Sequence, residues 1–214
     1  MDLHKIIKLV MPSFADIRRE VKSLELAGLT NRQLADKYLK KTRNKYTSVG
    51  VITSIPGTIP GVGTVAQLAL ETGSVSADML LMLRWMASLC YGIGLFYGKD
   101  TEHDFEDEFS LVLGIWSGTI DLKTARETRT ELSIGTFDKH ISDRIRNRMS
   151  QKIWKKMAVK YGSKRGGAAL GKLIPFGIGA IIGGTFNYFT IERFGKAAID
   201  YFGPDANVAT IQKP

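Results

Sequence analysis

The sequence predicts an all-α protein: a compact helical bundle with Gly-rich apolar helices and a basic amphipathic helix. Helix caps and stops recur along the chain, apolar residues recur at helical spacing, and strand-like alternation is confined to residues 49–55. A chain of 214 residues, 44% hydrophobic and 24% charged, is globular and long enough to bury a sizeable core.

The elements follow in order. Ser13 can cap a helix that runs to Ala27, with Gly28 as its stop. Thr30 and Gln33 have capping-box spacing and open a basic helix to about Tyr46. The run SIPGTIPGVG at 54–63 is a turn, and 62–70 reads as a short helix after it. Ser76 can cap a long apolar helix ending near Tyr97. Asp100 or Thr101 opens the next, whose apolar face holds Phe105, Phe109, Val112, Leu113 and Trp116 before Gly118 stops it. Residues 121–132 form a polar helix, and GTFD at 135–138 a turn. In 139–161 the apolar positions Ile141, Ile145, Met149, Ile153, Met157 and Tyr161 recur every four residues, so the apolar stripe drifts about 40° per step and touches more than one neighbour. One or two helices fill 175–202, ending at Gly203-Pro204. Three domains are expected: a basic segment at 1–47, a helical domain at 48–202 and a tail at 203–214.

Charge is unevenly spread. The net charge is +9, yet residues 99–138 hold 10 acidic and 4 basic side chains, while 139–172 hold 11 basic and 1 acidic. Arg144, Arg146, Arg148, Lys152, Lys155, Lys156, Lys160, Lys164 and Arg165 form a basic cluster with Trp154 and Tyr161 interleaved. Such a cluster suits anionic lipid headgroups, a partner's acidic surface, or a solvated face. Nucleic acid is disfavoured, because no recognition motif accompanies the charge.

Three windows are long enough to raise the question of a bilayer. Residues 46–70 and 173–191 carry no charge, and 79–98 carry only Arg84. The first is broken by Pro and Gly, the second by Arg84, and the third by Pro175 and several glycines. Gly179 and Gly183 form a GxxxG pair, and with Gly177 they suit close helix packing. Mean hydropathy is −0.05, which favours burial in a bundle over insertion. The start of the chain, interrupted by Lys5 and Lys8, does not read as a secretory signal.

Candidate chemistry is sparse. The chain has 1 cysteine, Cys90, and 3 histidines, which argues against a zinc site and points to the cytoplasm as default compartment. Cys90 lies in an apolar helix and reads as inert filling. GGAALGKL at 166–173 matches a phosphate loop except that Leu173 stands where Ser or Thr should bind magnesium, and no strand precedes it. DTEHDFEDE at 100–108 lacks the glycine of a calcium loop, and its carboxylates are explained by the helix dipole. A hydrolase using His103 and its neighbours is the remaining enzymatic reading. No cofactor, metal or catalytic residue is assigned.

Thr72-Gly73, Asp78, Leu83-Arg84, Tyr97-Gly98, Asp100 and the LVLG run at 111–114 stand in an order that resembles the EcsC family, and 174–202 is similar to that family's closing segment. The resemblance spans about 48–202. It implies a helical, membrane-associated bacterial protein, in some members encoded beside an ABC-transporter pair. It carries over no catalytic residue. The expected function is thus a non-enzymatic accessory to transport or secretion, at the inner face of the cell membrane, contacting anionic lipid or a membrane protein. The alternative is a glycine-zipper effector that inserts and forms pores. The oligomeric state is left open.

Overall fold

The computed structural model describes residues 3–25, 28–52, 77–132, 148–153, 155 and 178–204. The helices are α1 (Leu3–Leu9), α2 (Phe14–Glu25), α3 (Asn31–Ile52), α4 (Ala77–Phe96), α5 (Phe105–Ser117), α6 (Leu122–Leu132) and α7 (Ile178–Phe202). Residues 148–153 are helical as well, and no strand occurs among the described residues.

Local signals place the helix ends. The Gln33 amide donates to Thr30 Oγ1 at 3.3 Å while the Thr30 amide donates to Gln33 Oε1 at 2.9 Å, a reciprocal capping box. Asp121 accepts the Thr124 amide at 2.8 Å at the start of α6. α4 and α5 end alike. Gly98 and Gly118 sit at φ 71° and 72°, and the Lys99 and Thr119 amides reach back to the carbonyls of Gly94 and Gly114, each at 2.9 Å. This is the Schellman closure, which a left-handed glycine makes without strain.

α4 is the central helix. It contacts α1, α2, α3, α5 and α7, and Leu80, Met82, Leu83, Met86, Leu89, Tyr91 and Ile93 are all buried. A helix apolar on every side is one surrounded by others. α3 and α7 pack antiparallel: Arg43 meets Glu192, Leu39 lies against Gly195, and Arg32 faces Asp200. α3 is also antiparallel to α4, through Tyr38 at Gly92 and Tyr46 near Trp85. A chain of ring contacts links α2, α5 and α7: Phe14–Phe105 at 5.3 Å, Phe105–Phe109 at 5.5 Å and Phe109–Phe194 at 5.9 Å.

The bundle was expected to contain Gly-rich apolar helices, one or two of them able to enter a bilayer in the less favoured reading, yet no helix among the described residues is long and apolar enough to cross a membrane. The apolar surface of α4 is spent on neighbouring helices. α7 is interrupted by Glu192, Arg193, Lys196 and Asp200 in its second half. That finding overturns the membrane-associated transport accessory and the glycine-zipper pore. It overturns equally the anionic-membrane or membrane-protein partner and the inner-membrane location. Of the strand-like stretch at 49–55, residues 49–52 are helical instead, as the end of α3, and 53–55 lie outside the described residues. The turn expected at 54–63, the helix at 62–70, the turn at 135–138, the loop at 166–173 and, apart from 148–153 and 155, the helix at 139–161 lie outside the described residues.

Candidate functional site

One buried polar centre, one partly exposed polar corner and one basic surface are candidates. The first is a polar centre where α4, α5, α6 and α7 converge. Glu108 falls on the apolar stripe of α5, between Phe105 and Val112, and is only 6% exposed. Arg129 from α6 donates Nε to Glu108 Oε1 at 2.8 Å. The Arg129 guanidinium also lies over Tyr201 and Phe202 of α7, at 5.2 and 5.1 Å from the ring centroids. Burial, and then the nearby Glu108 carboxylate, push the Tyr201 phenol far above its ordinary range. Burial followed by Glu108 likewise pushes the Cys90 thiol up, against a smaller pull from Arg129. The centre therefore holds a neutral thiol, a neutral phenol and a paired carboxylate, none of them poised as a nucleophile.

The second is the corner between α4 and α5. Tyr91 donates its hydroxyl to Asp100 Oδ1 at 2.8 Å, and Arg18 of α2 donates Nε to Asp100 Oδ2 at 3.3 Å. Arg18 also pairs with Glu102. Burial, and then the bond to Asp100, push the Tyr91 phenol up to about 12. Of the residues that carry the family resemblance, this corner gathers Tyr97, Gly98 and Asp100. The resemblance therefore falls partly on a corner that ties α2 to α4 and α5. Tyr97 is half-buried with its hydroxyl unpartnered. Arg84 is half-buried within α4, its carbonyl accepting Ser88 Oγ at 3.0 Å. Asp78 lies in the first turn of α4. His103 is exposed beside this corner, and no group of three metal-ligating side chains occurs among the described residues.

The basic surface is described in part. Arg148, Lys152 and Lys155 are exposed, whereas Met149 and Ile153 are buried. Lys152 Nζ donates to the Gly118 carbonyl at 2.8 Å, at the end of α5. Arg144, Arg146, Trp154, Lys156, Lys160, Lys164 and Arg165 lie outside the described residues.

The EcsC protein family matches residues 23–203. That span is most of the chain. The chain belongs to the EcsC protein family. The match begins 25 residues upstream of residue 48, where the sequence resemblance was first placed, and so takes in α3. No curated protein and no solved structure matches the chain.

Two glycines matter for packing, Gly92 in α4 and Gly195 in α7. A Cβ built at Gly195 would lie 2.3 Å from Leu39 Cδ1, and one at Gly92 would lie 2.3 Å from Tyr38 Cε1. Close helix approach in this EcsC domain is seen at these glycines. Of those expected in that role, Gly179 and Gly183 lie on α7, and Gly177 lies outside the described residues. The sequence reading passed over Gly92, Gly195, Glu108, Arg129 and Tyr201. A signal for Glu108 existed: a carboxylate standing three residues after Phe105 and four before Val112 sits on an apolar face.

Proposed function

We propose that this EcsC domain is a binding module for an acidic protein surface, with Arg148, Lys152 and Lys155 at the centre of its contact face. The observation that supports it is the orientation of the helical residues 148–153 and 155. Met149 and Ile153 are buried and anchor it, while the three cations are exposed. Spacings of four and three residues set those cations within about 60° of one another around the helix. The excess of basic residues over 139–172, Arg144, Lys156, Lys160, Lys164 and Arg165 among them, supports the same reading. Charge complementarity of this kind governs encounter rate and partner choice more than raw affinity.

Calorimetric titration of the full chain with poly-glutamate, beside a neutral peptide of equal length, tests the proposal. Binding of poly-glutamate alone is expected, weakening with salt. The double variant Lys152→Glu, Lys155→Glu is expected to weaken it by roughly tenfold or more. No binding, binding unaffected by the double variant, or tighter binding to a DNA duplex than to the peptide would each overturn it.

A further inference from the structure

We propose that the outer face of the α3–α7 pair is a docking surface for an acidic amphipathic helix of a partner protein. On α7, Phe189, Arg193, Lys196 and Asp200 are exposed, while Thr190, Ile191, Phe194 and Ala198 are buried. The periodicity of the helix sets the exposed four within about 60° of one another. On α3, Lys37, Lys40 and Asn44 share one side in the same way, and all three are exposed. The two stripes border one seam. Arg43 pairs with Glu192 across it at 2.7 Å, Arg32 faces Asp200 at 3.8 Å, and Lys196 pairs with Glu192 at 3.2 Å. α4 packs against both helices from the inner side, so the stripes face outward together.

A single exposed aromatic ring is ordinary. Phe189 differs in what surrounds it. It is 52% exposed, and Leu29 is the only other exposed large apolar side chain among the described residues. Its ring stands edge-on to Tyr188 at 5.5 Å, and the Arg43 guanidinium covers Tyr188 at 4.2 Å. The ring is thus supported before anything binds, which lowers the cost of binding. Lys37, Lys40 and Arg193 enter no ion pair among the described residues. A supported ring beside unpaired cations fits an apolar residue flanked by carboxylates. A helix presents such residues at spacings of three, four and seven, the spacings of Phe189, Arg193 and Lys196. A nucleic-acid strand fits less well, because Glu192 and Asp200 border the same face and repel a continuous line of phosphates. This face is distinct from the one built on Arg148, Lys152 and Lys155 and does not rest on it.

Nuclear magnetic resonance of the full chain tests the proposal with two probes. One is a helical peptide of Glu and Leu in amphipathic order, the other poly-glutamate of equal charge. The peptide is expected to shift the amides of Lys40, Phe189 and Arg193. Phe189→Ser is expected to weaken peptide binding by about tenfold and to leave poly-glutamate binding unchanged. Lys40→Glu combined with Arg193→Glu is expected to weaken the peptide by about tenfold or more. All three positions are exposed, so these variants are expected to fold. Lys152→Glu combined with Lys155→Glu is expected to leave the peptide's shifts at Phe189 in place, which separates this face from the other. No peptide binding, shifts confined to residues 148–155, affinity unmoved by Phe189→Ser, or a preference for single-stranded DNA over the peptide would each sink the proposal.

Discussion

Arg129 illustrates how much one side chain can hold. It neutralises Glu108, which is 6% exposed, and packs its guanidinium on two aromatic rings of α7. Arg129→Ala leaves a buried carboxylate uncompensated and is expected to cost about 3–5 kcal/mol, read from urea unfolding. Leaving Glu108 alone and losing nothing would show that the carboxylate is already hydrated. Cys90 gives a second residue-scale prediction. It is fully buried and its thiol is pushed up by burial and by Glu108. Ellman's reagent is expected to label it only as fast as the bundle opens, with labelling sped by urea and by Arg129→Ala. Prompt labelling of the native chain would contradict that burial. The sequence reading of Cys90 as core filling agrees with its position, because an apolar helix around a thiol is a local signal. Glu108 was harder to read. Five other acidic residues surround it at 100–108, and the stretch reads as helix-dipole chemistry until its position on the stripe is traced.

Helix ends were the most legible elements, since caps are written in three or four adjacent residues. Thr30, Gln33, Gly98 and Gly118 all act within that range. Pairing between helices was less legible, because it joins residues far apart in sequence. Gly195 shows this. Replacing it by Ala gains about 1 kcal/mol in helix propensity, but a Cβ there meets Leu39 at 2.3 Å, and overpacking costs about 1–3 kcal/mol. Gly195→Ala is expected to destabilise, and a double-mutant cycle with Leu39→Ala to show coupling of about 0.5 kcal/mol or more. Additive effects would dismiss the clash.

The α3–α7 pair also carries an acid sensitivity. Burial works to raise Glu192, but bonds from Arg43 and Lys196 hold its carboxyl below the ordinary value of 4.5. Glu20 is held down in the same way against burial, by Lys41 and Lys45. A carboxylate with a depressed folded pKa contributes stability that is present above its unfolded value. That contribution is lost as the pH falls through the folded value. Melting temperature is therefore expected to fall below about pH 4.5. Arg43→Ala lowers the neutral-pH plateau and makes the acid limb shallower. An unchanged limb would remove Glu192 from the account.

At the scale of the molecule, the apolar windows misled for a physical reason. Hydropathy records that a segment avoids water and not what replaces the water. α4 is apolar all round because other helices surround it, and a segment in lipid reads the same way up to the count of charges. The family was legible because its residues recur in order along the chain. The basic cluster was legible in composition, and the apolar stripe of 139–161 already set Met149 and Ile153 on its packing side, where both are buried.

The pairing of α3 with α7 has a bearing on synthesis. Arg43 and Glu192 are 149 residues apart. At ribosomal speeds of about 5–20 residues per second, α3 waits roughly seven to thirty seconds before the surface it packs against has been made. Leu39, buried against Gly195 in the finished protein, is uncovered on that side for the interval. A nascent chain stalled before α7 is therefore expected to recruit holdase chaperones, and one released after residue 204 to shed them.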